Sequence, residues 1–367
     1  MLALVLVLAA ATPFQESLAE LARSKAKDPQ KLHRLFDLAW QYDNAEHPEL
    51  ATSRGVAGYN NRWTDESLEA IERRKHETVS LGQALSAIDR RKVDAEDQVN
   101  YDLFRRDVDD DLAAQRFPRE LLAITQLAGP QYLSSTLDIM PARTARDYQD
   151  IVARLDAVPQ RMAQVEARLR RGVETGVVSP RVVLRDVAAQ LDAQTPEDPL
   201  QAPLLKAFAK LPEGISEEAR TDAVRIYREK IVPAYRKLRE YFVSAYLPHA
   251  RETVALSALP EGVDWYLERV RRETTTSLTP HEIHQLGLSE VKRIRGEMEK
   301  VLARVGFKGT LADFATFLRT DARFYFTDAR ELVREYRDIA KRIDPELTRL
   351  FGKLPRLPYG VVEIPAF

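Results

Sequence analysis

Six histidines, His33, His47, His76, His249, His281 and His284, and no cysteine make up the imidazole and thiolate stock of this 367-residue chain. Any zinc site would therefore rest on imidazole and carboxylate alone. Two stretches have suggestive spacing. His76-Glu77-Thr78-Val79-Ser80 begins like the H-E-x-x-H helix, on which two histidines one turn apart hold zinc while the glutamate activates water, but Ser80 stands where the second imidazole belongs. His281-Glu282-Ile283-His284 sets two imidazoles three residues apart on one helical face. The preceding Thr279-Pro280 turns that stretch into a helix start: Thr279 as N-cap, Pro280 at the first helical position, Glu282 closing a capping box. Glu282 is thereby spent on the backbone and His281 falls in an exposed first turn. Two imidazoles fall short of the roughly three or four protein ligands a zinc site takes, so no residue is assigned to a metal.

Other chemistries lack their residues. Gly287-Leu288-Ser289-Glu290-Val291 comes nearest to a G-x-S-x-G nucleophile elbow, but it lacks the second glycine and lies in a helical pattern. No G-x-x-x-x-G-K-[ST] loop or G-x-G-x-x-G turn offers backbone amides to a phosphate. Asp107, Asp109, Asp110 and Asp111 read as a solvated helical face, Arg170-Arg171 and Arg271-Arg272 as surface charge, and Phe324-Tyr325-Phe326 as core filling. The 55 Lys+Arg balance 56 Asp+Glu to a formal net charge of −1, which gives no field to select nucleic acid or an anionic membrane. The missing cysteine also removes disulfides, iron–sulfur clusters and thiol nucleophiles.

The elements available to position a site are helices. Only 14 glycines argue against barrels and sandwiches, and apolar residues recur with helical period. Leu32, Leu35, Phe36, Ala39 and Trp40 form one stripe. Tyr148, Ile151, Val152, Leu155, Met162, Val165, Leu169 and Val173 form a longer one, with Pro159 expected to kink it. Further stripes are Ala219, Ala223, Ile226, Ala234, Leu238, Phe242, Ala245; Ile283, Leu286, Ile294, Met298, Val301, Val305; and Leu332, Tyr336, Ile339, Ile343. Each predicts one buried helical face. Asp344-Pro345-Glu346 starts a further turn, and turn-rich breaks fall at 195–203, 211–215 and 259–262. The one strand-like stretch is the last, residues 359–367, where Val361, Val362 and Ile364 are β-branched. The expected fold is all-α, a large multi-helix array with a short extended segment at the C-terminus.

Residues 1–11 are an unbroken apolar run ending Ala9-Ala10-Ala11. The run is too short to cross about 30 Å of hydrocarbon, and its small-x-small ending suits a leader peptidase. It predicts a cleaved signal peptide, with a mature helical domain over residues 12–367, no membrane span after cleavage, and a periplasmic or secreted location.

An ordered set of phrases resembles a known family. The set comprises Pro48-Glu49-Leu50-Ala51-Thr52-Ser53 with Gly58-Tyr59 and Trp63-Thr64-Asp65-Glu66-Ser67; Gly172 with Thr175-Gly176-Val177-Val178-Ser179-Pro180-Arg181; Leu259-Pro260-Glu261-Gly262 with Tyr266; Thr274-Thr275-Thr276 with Leu278-Thr279-Pro280 and Glu282-Ile283-His284; and Leu350-Phe351-Gly352 with Leu354-Pro355 and Pro358-Tyr359-Gly360-Val361. It is similar to the bacterial domain of unknown function 885, whose members are often exported, along residues 32–367. The resemblance implies a helical protein related to gluzincin metallopeptidases, in which the zinc signature lies downstream of the Leu-Pro-Tyr-Gly-Val segment. On that footing this chain is expected to be the N-terminal helical portion of an exported zinc-metallopeptidase-like protein. It would hold no catalytic, cofactor or metal residue of its own and be inactive as it stands, with zinc and peptides bound only by a full-length relative. The alternative is a non-catalytic helical binding or scaffold protein of the cell envelope.

Overall fold

The computed structural model describes residues 11–363, so the first ten leader residues and residues 364–367 of the expected tail lie outside it. The fold is all-α: helices make up 70% of it, and no sheet forms among the described residues. Two compact units divide between Ser277 and Leu278.

Among the described residues the first unit contains three apolar cores. Helices α1 (Pro13–Arg23), α2 (Asp28–Glu46), α4 (Leu68–Ser86) and α5 (Ala95–Ala114) close over Leu18, Leu32, Leu35, Leu85 and Tyr101, while the short α3 (Pro48–Ser53) follows α2 directly. A larger core gathers α6 (Leu133–Asp138), α7 (Ala145–Asp156), α8 (Val158–Thr175), α9 (Val187–Asp192), α10 (Lys206–Ala209), α11 (Glu217–Ile226) and α12 (Val232–Tyr241). The third, around Phe117, Leu121, Val177, Leu259 and Trp265, fastens α13 (Gly262–Thr274). The chain breaks between α7 and α8 where Pro159 predicts a kink, and Tyr148, Ile151, Leu155, Met162, Val165 and Leu169 are all buried.

The stripe over 219–245 is helical, with Ala223, Ile226, Leu238 and Phe242 buried as expected, but at two places the buried position shifts by one residue. Instead of Ala234 and Ala245, Tyr235 and Tyr246 are buried, together with Ile231. Two π turns cause this, Tyr227–Ile231 and Phe242–Tyr246, each closed by an amide reaching five residues back: Val232 N–H to Tyr227 O and Leu247 N–H to Phe242 O. Each widened turn lies just before a proline, Pro233 or Pro248, whose ring crowds the preceding turn and which has no N–H to close it. The extra residue advances the buried face by one position. The tyrosines that arrive there satisfy their hydroxyls on loops: Tyr227 donates to Pro196 O at 2.9 Å, Tyr235 to Pro130 O at 2.7 Å, and Tyr246 accepts from Ser179 N–H at 3.0 Å.

The second unit holds α14 (Pro280–Arg304), α15 (Leu311–Thr320) and α16 (Ala329–Ile343), followed by a 3₁₀ turn over Asp344–Arg349. The Thr279 capping box is present: Thr279 Oγ1 accepts from Glu282 N–H at 3.2 Å, and Thr279 N–H donates to Glu282 Oε2 at 2.8 Å. Burial is where the expectation fails. Leu286, Ile294, Met298, Val301 and Val305 on α14 and Leu332, Tyr336, Ile339 and Ile343 on α16 are exposed, as are Phe324, Tyr325 and Phe326. Period specifies that a helix has an apolar face without supplying the element that covers it, and a unit this small has too few layers to do so. Residues 359–363 carry no strand; Tyr359 donates to Asp344 Oδ1 at 2.7 Å and Arg337 to Val361 O at 3.0 Å instead. Replacing Leu332 and Ile339 together by Gln is expected to leave the melting temperature unchanged and to reduce binding of a hydrophobic dye. A fall in melting temperature would show that the face is covered.

Candidate functional site

A groove of about 860 Å³ opens in the first unit over α2, α4 and α5. Its walls are apolar and aromatic, with Phe36 and Trp40 from α2, Phe104 and Val108 from α5, and Phe117 beyond it. Trp40 obeys the helical template yet is 50% exposed, because its side of α2 faces this groove rather than another helix. The Arg54 guanidinium lies 4.8 Å from the Trp40 ring centroid and bonds Asp43 at 2.5 Å. Most other charges in the groove are also matched: Lys75 to Glu120 at 2.9 Å and Asp111 to Arg272 at 3.1 Å. Burial alone would lower the Lys75 pKa, but the bonds from Glu72 and Glu120 raise it above the ordinary lysine value. Asp107 and Arg119, both exposed, have no ion-pair partner among the described residues.

The chain between α2 and α4 is tied down from behind by three arginines spaced seven apart. Arg154, fully buried, donates to the carbonyls of Arg62 at 3.0 Å, Pro48 at 3.1 Å and Tyr59 at 3.2 Å and to Thr52 Oγ1 at 2.8 Å, and sits 5.0 Å from the Trp63 ring centroid. No carboxylate among the described residues bonds it, and burial, countered only by Glu49 and Asp150 at a distance, pulls its pKa down to about 10. Arg161 donates to Thr64 O and Glu66 Oε1, each at 2.8 Å, and Arg168 to Glu66 Oε2. Glu49 meanwhile accepts from Thr64 Oγ1 at 2.6 Å. The segment whose phrases begin the family resemblance is thus a strap laid across α7 and α8.

The two histidine stretches are not brought together as metal centres. His76 is exposed, whereas Glu77, 1% exposed, turns inward: Oε1 accepts from Thr12 Oγ1 at 2.7 Å, and Oε2 from Tyr42 OH at 2.6 Å and Arg73 Nη1 at 2.8 Å. Burial and the Glu77 bond push the Tyr42 hydroxyl pKa up. Glu46 is held below the ordinary glutamate value because bonds from Arg73 and Arg74 outweigh its burial. His281 and His284 are both exposed on the first turns of α14. Among the described residues no three His, Asp or Glu side chains converge on a point that could hold a metal ion. Asp109 and Asp110 pair within α5, with Arg105 and Arg106, as a solvated face would. Sequence reading missed Arg154 and the Glu77 network. Each is a charged residue whose main partners lie far along the chain, and nothing in the spacing marks either as buried.

Comparison with known proteins gives two findings. A family model described as "Bacterial protein of unknown function (DUF885)" matches residues 48–367. The crystal structure of a "putative lipoprotein" from Colwellia psychrerythraea is similar in fold, with a TM-score of 0.75 at 20% identity, over 90% of this chain and 61% of that one. This chain therefore spans 61% of that neighbour's length. No curated protein matches the sequence.

Proposed function

This chain belongs to the bacterial DUF885 family, and from that footing we propose that it is the helical, ligand-holding portion of an exported zinc-metallopeptidase-like protein, one that grips a peptide without cleaving it by itself. The groove of the first unit carries this reading. A short peptide offers apolar side chains and oppositely charged termini, and the aromatic walls beside an unpaired Asp107 and an unpaired Arg119 complement both. The longer chain of the structural neighbour supports a larger parent protein. Zinc in such a parent would lower the pKa of its bound water to about 7 and polarise the scissile carbonyl. The described residues of this chain offer no ligand set for it, so no step here passes through the metal.

Export is part of the proposal, with residues 1–11 as a removable leader. The 367 residues contain no cysteine. No helix among the described residues is long and apolar enough to cross a membrane. A second reading, a non-catalytic binding or scaffold protein of the envelope, is favoured by the exposed apolar faces of α14 and α16.

Calorimetric titration of the 367-residue protein with short peptides is the test. Binding is expected to weaken about fivefold or more, roughly 1 kcal/mol, in Asp107→Asn and in Arg119→Gln, with no hydrolysis on adding zinc. Chelator-sensitive hydrolysis lost in His284→Ala would overturn the proposal. No peptide binding at all would transfer it to the scaffold reading.

A further inference from the structure

The leader's last residues, Ala9-Ala10-Ala11, precede a threonine with an unusual position in the fold. Thr12 is the N-cap of α1: its Oγ1 accepts from Gln15 N–H at 3.4 Å and its own N–H donates to Gln15 Oε1 at 3.1 Å. The same Oγ1 donates to Glu77 Oε1, the oxygen that has no other partner among the described residues, while Arg73 and Tyr42 occupy Oε2. Ala11, by contrast, is exposed, so the bond between the two residues lies at the edge of the fold. Glu77 is the group from the packed helices that bonds Thr12, and the titratable and charged groups joined to it are Tyr42 and Arg73 directly and Glu46 and Arg74 through Arg73, with Glu16 in the first turn of α1. Arg73 and Arg74 share Glu46, which leaves Glu77 as the carboxylate with spare acceptor capacity on the Thr12 side.

We propose that cleavage between Ala11 and Thr12 installs a structural ion pair, the freed α-ammonium of Thr12 with buried Glu77, so that processing itself locks α1 onto α2 and α4. This inference rests on the export reading. Hydrolysis of the Ala11–Thr12 amide consumes one water, leaves a carboxylate on the departing leader and replaces one N–H on Thr12 by an ammonium with three. One of the three keeps the bond to Gln15 Oε1, and the others turn toward Glu77 Oε1. An ammonium at a helix N-terminus opposes the helix dipole. A buried carboxylate beside it reverses that balance, because charge-assisted hydrogen bonds are the stronger kind.

N-terminal sequencing of protein recovered from an exporting host is expected to find Thr12 first. Met1 intact on cytoplasmic protein would overturn the export reading and this inference with it, whereas a leader removed at another bond would overturn the inference alone. The ion pair is tested on protein released by a tag protease with Thr12 as its first residue, by titrating the α-amino group with NMR. Glu77→Gln is expected to lower its pKa by about one unit, a tenfold change in acidity, and Glu77→Asp by less; an unchanged pKa overturns the pairing. Should Glu77→Gln not fold, wild-type chains beginning at Thr12 and at Ala11 are compared by melting temperature. The Thr12 chain is expected to melt higher, and equal melting would overturn the proposal.

Discussion

Arg154→Met loses about 3–5 kcal/mol of folding stability in denaturant titrations, the largest effect expected of any single side chain here. The size follows from what the guanidinium satisfies. Its removal leaves the part-buried carbonyls of Tyr59 and Arg62 without their donor and takes one donor each from Pro48 O, which Thr52 Oγ1 also reaches, and from the buried Thr52 hydroxyl. Each such orphan costs about 1–3 kcal/mol, less whatever relaxation recovers. Methionine fills much of the volume, so the loss reports the polar contacts rather than a cavity. Arg154→Lys is expected to recover little, since one ammonium cannot span three carbonyls in a plane. A midpoint unchanged in Arg154→Met would mean that Glu49 and Glu66 hold the strap unaided.

Gly262→Ala is expected to be nearly as damaging, at about 3 kcal/mol, toward the upper end for forcing atoms into a packed site. A methyl group there would collide with the Leu256 carbonyl oxygen and lie 2.8 Å from the Ser257 carbonyl carbon, and both neighbours are backbone. The residue before it, Glu261, already sits at φ 51°, so the turn into α13 has no slack. The stacked Phe117 and Trp265 rings, centroids 5.6 Å apart, would be displaced with the helix. A lowered melting temperature with loss of the near-ultraviolet signal of that tryptophan is the expected signature; an unshifted melt would show that the 256–261 turn yields freely.

These two residues were unequally visible in the sequence. Gly262 belongs to an ordered phrase, Leu259-Pro260-Glu261-Gly262, and a glycine at the mouth of a helix advertises close backbone approach. Arg154 advertises nothing, since an arginine between Ile151 and Leu155 reads as solvent-facing until the carbonyls of residues 48–62 arrive from elsewhere. Helices were legible wherever period 3.6 persisted, as in α7 and α8. Over 217–246 the helix and most of its buried face were legible, but not the one-residue shifts to Tyr235 and Tyr246, because a π turn adds a residue without breaking the apolar run. Trp40 shows the remaining limit. Period named its face correctly, but whether that face meets a helix or an open groove depends on where α4 and α5 end up.

The strap also has the character of a polydentate chelate. Its contacts join positions 91 to 106 residues apart, and closing a loop of that length costs about 4 kcal/mol in chain entropy. That entropy is lost once, when the first arginine finds its oxygens. Arg161 and Arg168, carried on the same rigid rod of α8, then meet Thr64 and Glu66 at high effective concentration and bind with almost no further loss. Three contacts carried on adjoining helices therefore hold more firmly than three scattered ones, and breaking any one of them leaves the strap hinged rather than free.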